Sequence, residues 1–149
     1  MNKLPIPEMI RRAFSALPFA YAPYSHFKVG ASLLTEDGEV YTGCNIENAA
    51  FGPGNCAERT AIFKAVSEGK RDFLAICIVN ENQDGGHDFC PPCGVCRQVM
   101  AEFCDPETFQ IILAKSPEYY KIYTLAELFP EGFGPGYLKT NKQFSQLKS

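Results

Sequence analysis

Four of the seven cysteines fall in two short stretches: Cys56 in "GPGNCAERTA", and Cys90, Cys93 and Cys96 in "CPPCGVC". The second stretch holds two overlapping C-x-x-C pairs, Cys90/Cys93 and Cys93/Cys96. Cysteines three apart on a first helical turn point to the same side, so both sulfurs can reach one ion. Pro91 and Pro92 precede Cys93 and a helical pattern follows, which puts Cys93 and Cys96 on such a turn. Cys56 follows Gly52-Pro53-Gly54 and opens another helical pattern. Two helix N-termini aimed at one site would favour thiolates through their partial positive charge.

Three sulfurs on a zinc ion leave one tetrahedral position open, as at a catalytic site, whereas a fourth from Cys90 closes it, as at a structural site. The residues by themselves allow both. In the open case Glu58, two residues beyond Cys56, is placed to reach a water activated at the metal and take its proton. Considered singly, Glu58 is a first-turn carboxylate that complements the helix dipole.

The elements that must position these groups alternate. "PEMIRRAFSALPF" is a helix with Met9, Ile10, Ala13, Phe14 and Leu17 on one face and Pro7 in its first turn. "FKVGASLLTEDGEVYTGCNIE" reads as two strands joined at Asp37-Gly38. "CAERTAIFKAVSEG" is a helix stopped by Gly69. "FLAICIVN" and "FQIILA" are apolar enough to be buried strands, "CGVCRQVMAEF" is the helix between them, "YYKIY" is a short edge strand and "TLAELF" a short helix. The pattern predicts an α/β fold: a three-layer α-β-α sandwich with a mixed central sheet of about five strands and helices on both faces. The 149 residues make one domain, 1–149, whose last ten or so residues look loosely held.

Composition excludes several function classes. With 14 Lys and Arg against 17 Asp and Glu, the chain lacks the excess of cations a polynucleotide-binding surface needs. A small ligand without a polyanionic backbone is expected, and no nucleic acid. No apolar run approaches the roughly 20 residues of a membrane-spanning helix, and "MNKLPIPEMIRRAF" lacks a secretory apolar core. An odd number of cysteines without an export signal argues for reduced thiols and a cytoplasmic location.

"CAE" upstream of "PCGVC" matches the H-x-E…P-C-x-x-C signature of zinc-dependent nucleobase deaminases, with Cys in place of the His. Together with "PYSHFKVGASLL", "GCNIENAAFGPGNCAERTAIFKAVSEG" and "ELFPEGFGP", the chain resembles the small homotetrameric cytidine deaminases over nearly its whole length. The resemblance implies that Cys56, Cys93 and Cys96 hold one Zn²⁺ per subunit, that Cys90 stays outside, and that Glu58 shuttles protons. It implies that Arg59 hydrogen-bonds the ligand sulfurs. The need is physical, because three thiolates leave the zinc centre net negative and a poor Lewis acid unless donors draw charge off them. It also implies that Phe27 packs on the pyrimidine, that Ala57 belongs to the substrate site, and that Phe133 reaches in from a neighbouring subunit of a homotetramer. The activity implied is hydrolytic deamination of cytidine and deoxycytidine to uridine and deoxyuridine with release of ammonia, in pyrimidine salvage.

Asn45 and Glu47 in "GCNIEN" lie on one side of a strand, where an amide and a carboxylate suit a vicinal diol. The resembled family uses these positions for the ribose. No Lys or Arg occurs from Gly43 to Cys56, so Glu47 would repel a 5′-phosphate and favour a free nucleoside. Three positions depart from the usual pattern: Pro91, preceded by Cys90, stands where Ser is usual, Phe129 replaces a leucine, and Phe51 stands where Tyr is common. Cys44, Cys77 and Cys104 read as small buried hydrophobes. Neither His26 nor His87 is assigned a metal role, and His87 is expected in a solvated loop.

Overall fold

The computed structural model describes residues 3–138; the expectation about the chain's last ten residues lies outside them. The order of elements is α1 (Ile6–Ala16), a 3₁₀ turn (Leu17–Phe19), β1 (Lys28–Thr35), β2 (Val40–Cys44), α2 (Ala57–Ser67), β3 (Phe73–Glu81), α3 (Gly94–Phe103), β4 (Gln110–Ser116), β5 (Tyr119–Thr124), α4 (Leu125–Leu128) and a second 3₁₀ turn (Pro135–Tyr137).

β3 shows why the sheet is covered on both sides. Its side chains alternate between faces. Ala75, Cys77 and Val79 pack with Met9, Ile10, Ala13 and Leu17 from α1 and the turn after it. Ile76 and Ile78 pack on the other face with Ala61, Ile62 and Ala65 of α2 and Met100 of α3. A strand buried on both faces reads as a continuous apolar run, which is what "FLAICIV" is. The sheet is mixed, in the order β2-β1-β3-β4-β5. Only β3 and β4, joined through α3, are parallel, and the β1–β2, β1–β3 and β4–β5 pairs are antiparallel. The expected three-layer sandwich is therefore present, with α1 on one face and α2 and α3 on the other.

Two glycines shape the β1–β2 hairpin and its packing. Gly38 takes φ 92° in the β1–β2 turn, a left-handed conformation that costs glycine little. Gly43 lets α2 lie directly on β2. A Cβ at Gly43 would stand 2.4 Å from the Ala57 carbonyl oxygen and 2.6 Å from the Ala61 nitrogen. Both are backbone atoms, so any side chain there would push away the helix that carries Glu58.

One boundary differs from expectation. β2 ends at Cys44, so Asn45 and Glu47 are not strand residues. Ile46 instead forms isolated bridges, parallel to Tyr21 and antiparallel to Asn55. The short helix α4 begins as expected, at Thr124, where a capping box with Glu127 satisfies the first backbone donors.

Candidate metal centre and active site

Cys56 is the N-cap of α2 and Cys93 the N-cap of α3, and neither helix start carries a side-chain cap. Each end keeps its unsatisfied amide donors and partial positive charge beside a sulfur, which favours the thiolate. Cys96 lies one turn into α3 and is fully buried. The Cys56–Cys93 and Cys93–Cys96 sulfur separations are 3.8 and 3.6 Å, and all three sulfurs lie within 4.8 Å of one another. Tetrahedral zinc with Zn–S bonds of about 2.3 Å sets its sulfurs about 3.8 Å apart. The donor set therefore fits one zinc per chain in kind, number and spacing.

Proton affinities make the same point. The Cys56 thiol is pulled down to about 5, first by a hydrogen bond from Cys96 and then, against burial, by Arg59. The Cys96 thiol is pushed up, because it donates to Cys56 and lies buried. One thiolate thus forms readily and a second is opposed, so holding three together needs a cation among them.

Cys90 stays outside this cluster. Burial, chiefly, raises its thiol to about 12, with the negative charges of Glu58 and Cys56 adding to the effect. It lines the adjoining cavity but does not join the donor set.

Arg59 places Nη2 3.2 Å from the Cys56 sulfur. Its Nε is buried without a hydrogen-bond partner among the described residues. Cys56 is also held from behind. The Thr60 amide and hydroxyl both donate to its carbonyl at 3.0 Å, and Asn55 Nδ2 donates to the Thr60 hydroxyl at 3.2 Å. On the α3 side, Arg97 Nε donates to the Pro92 carbonyl at 2.7 Å and Nη1 to the Leu128 carbonyl, fixing the residue before Cys93.

Glu58 is only 4% exposed. Burial pushes its carboxyl up to about 7, its own backbone amide pulls the other way, and the Cys56 charge adds to the rise. A carboxyl poised there can both take and return a proton near neutrality.

Cys56, Cys93, Glu58 and Arg59 line a cavity of about 900 Å³ whose wall also includes Phe27, Asn45, Glu47, Ala57, Cys90 and Pro91. Asn45 and Glu47 do share it, yet both also serve the backbone. Asn45 Oδ1 accepts from the Val29 amide at 2.8 Å and Nδ2 donates to the Phe27 carbonyl at 2.7 Å. Glu47 accepts from the amides of Tyr24 and Ser25 at 2.9 and 3.1 Å and from the Ser25 hydroxyl. Phe133 is not part of this chain's own cavity wall; it is 53% exposed and stacks on Tyr137 with ring centres 5.2 Å apart. His87 is exposed, as expected, but is held by a 2.6 Å contact from Nδ1 to the Asn80 carbonyl and an edge contact with Phe14.

Ser25, Asn55, Thr60 and Arg97 were not singled out from the sequence. Thr60 carried a signal, since a threonine four residues beyond an N-cap can bond back to its carbonyl. Ser25 and Arg97 act on partners 22 and 31 residues away, which spacing does not reveal, and Asn55 acts on the Thr60 side chain.

Comparison with known proteins agrees with this geometry. Residues 6–112 match the family model described as the cytidine and deoxycytidylate deaminase zinc-binding region. The chain is 49% identical over 125 residues to a cytidine deaminase of Halalkalibacterium halodurans, covering 84% of this chain and 91% of that one. It is 45% identical over 128 residues to a cytidine deaminase of Sporosarcina psychrophila, covering 86% and 90%. A crystal structure of cytidine deaminase from Burkholderia pseudomallei superposes with a TM-score of 0.76 at 44% identity, covering 85% of this chain and 97% of that one. The chain belongs to the cytidine and deoxycytidylate deaminase family.

Proposed function

We propose that this protein hydrolyses the exocyclic amine of cytidine and deoxycytidine, releasing ammonia and leaving uridine and deoxyuridine, as a pyrimidine-salvage enzyme of a reducing, cytoplasmic compartment. The observation that carries the reading is a buried carboxyl, Glu58, set beside a three-cysteine zinc site in the wall of a cavity large enough to admit a nucleoside. Zinc, when bound by Cys56, Cys93 and Cys96, supplies the electrophilic activation that makes water a nucleophile at neutral pH. Glu58 takes the proton of that water and delivers it to N3 of the cytosine, which makes C4 more electrophilic. After the hydroxyl oxygen adds to C4, the again ionised Glu58 takes the remaining proton of that hydroxyl and passes it to the amine; the C4–N bond breaks as the C4 carbonyl forms, and ammonia leaves. Arg59 shares the charge of the Cys56 sulfur and so keeps the centre a useful acid.

Asn45 has one amide N–H to offer beyond the one given to Phe27, and Glu47 keeps a lone pair on Oε2, both suited to sugar hydroxyls. Phe27 supplies an apolar face for the base. Among the described residues the charged ones along the cavity are Glu47, Glu58 and Arg59, and Arg59 is turned to the sulfur, so a 5′-phosphate finds no free cation among them. Absorbance loss with a panel of cytosine, cytidine, deoxycytidine and cytidine 5′-phosphate is the test. Both nucleosides should react at least about a hundredfold more efficiently than the base or the nucleotide, since removing the partner of a polar or charged group typically costs several kcal/mol. Equal turnover of the nucleotide, or none of either nucleoside, would refute the reading.

A homotetramer completes the site in this reading. Phe19, Phe51, Phe133, Tyr137 and Leu138 are all more than half exposed, an apolar surface that suits burial against other subunits. Phe133 would enter a neighbouring cavity. Sedimentation should give a tetramer at assay concentrations; a fully active monomer would contradict it.

A further inference from the structure

Between the first 3₁₀ turn and β1 the chain runs through "YAPYSHF" without regular structure, yet one side of the cavity is built from it. The backbone is tied to the segment after β2: the Tyr21 amide donates to the Asn45 carbonyl at 2.9 Å and the Glu47 amide to the Tyr21 carbonyl at 2.8 Å. His26, with φ 58° and its amide 3.0 Å from the Ala22 carbonyl, turns the chain back toward β1. Ser25 sits inside that turn.

The Ser25 hydroxyl has one proton to give and lone pairs to receive with. An ionised Glu47 can only accept, so the proton goes to Glu47 Oε2. Ser25 Oγ in turn accepts the Phe27 amide at 3.0 Å. The chain of donors runs in one direction, from Phe27 N–H to Ser25 Oγ–H to the Glu47 carboxylate. A hydroxyl donating to a charged acceptor is polarised and becomes a better acceptor itself. This bond is also the leading reason the Glu47 carboxyl is held below the usual carboxylate range, with the Tyr24 and Ser25 amides adding to it against some desolvation.

We propose that Ser25 is a positioning residue: its hydroxyl fixes the sugar-facing carboxylate of Glu47 and the base-facing Phe27 as one unit. This rests on the cytosine-nucleoside reading of the site. Ser25 has no part in proton transfer, because the groups that move protons lie at Glu58. Its removal therefore weakens nucleoside binding and leaves the chemical step nearly intact. Without the hydroxyl, Glu47 Oε2 loses its donor and the Phe27 amide its acceptor, so two substrate-facing groups loosen together.

The experiment uses the full-length zinc-loaded protein and compares wild type, Ser25→Ala, Ser25→Thr, Glu47→Gln and the Ser25→Ala/Glu47→Gln double variant, with zinc content measured for each. Ser25→Ala should raise KM for cytidine about tenfold or more, the scale of a hydrogen bond to a charged group, with kcat changed less than about threefold. Ser25→Thr, which keeps the hydroxyl, should restore KM. In the Glu47→Gln background Ser25→Ala should cost much less than in wild type, because the charge it serves is gone. A purely structural serine would lower zinc content, or lower kcat along with binding, and its cost would add to that of Glu47→Gln. Any of those results, or an unchanged KM in Ser25→Ala, overturns the role given to Ser25 while an active wild type keeps the nucleoside reading. A wild type that turns over no cytosine nucleoside removes both.

Discussion

Glu58→Gln should bind a full complement of zinc and lose turnover by roughly three orders of magnitude, within the range a positioned acid–base group supplies. Glutamine keeps the shape and a hydrogen-bonding oxygen but cannot take a proton from water or return one to the departing amine. The site makes the loss severe because Glu58 is 4% exposed, which leaves little room for solvent to replace it. The raised carboxyl, at about 7, matches the alternation the reaction asks of it. Glu58 is not one of the three sulfur donors, so metal content and activity separate. Metal analysis together with the absorbance assay checks this, and near-normal turnover in a zinc-replete variant would take Glu58 out of the mechanism.

The second large effect concerns which sulfurs hold the metal. Cys56→Ser and Cys96→Ser should each lose zinc far more severely than the roughly 10–100-fold affinity loss typical of removing a supporting contact. Turnover should go with the metal. Melting temperature should fall too, since whatever binds only the native state stabilises it. Cys90→Ser should keep one zinc per chain and most of its turnover, because Cys90 stands outside the cluster with a thiol that burial keeps protonated. Zinc content and thermal denaturation of the three variants are the measurements. Zinc loss in Cys90→Ser equal to that in the other two would mean four sulfurs share the ion and no position is left for water.

Much of this was legible in residue order because the relevant signals are local. The two C-x-x-C pairs, the helix starts at Cys56 and Cys93, and the double-faced apolar run of β3 all lie within a few residues of chain. On those residues alone, choosing Cys93/Cys96 with Cys56 over a four-sulfur set was open; the folded positions of the sulfurs single out the three. The misplaced end of β2 has a different cause. Strand alternation puts Asn45 and Glu47 on one face, but the Asn45 side chain is recruited by the Phe27 and Val29 backbone sixteen to eighteen residues earlier. Bonds that close over such distances leave no period in the sequence. Ser25 and the Gly43–α2 contact were hidden for the same reason, each depending on a partner supplied by another element.

X-ray absorption at the zinc edge of the purified enzyme tests the central claim most directly. The three-cysteine site predicts three sulfurs at about 2.3 Å and one lighter oxygen or nitrogen scatterer at about 2.0–2.2 Å, with the latter replaced or shifted when a cytidine-like inhibitor is added. Four equivalent sulfurs, unchanged by inhibitor, would contradict it.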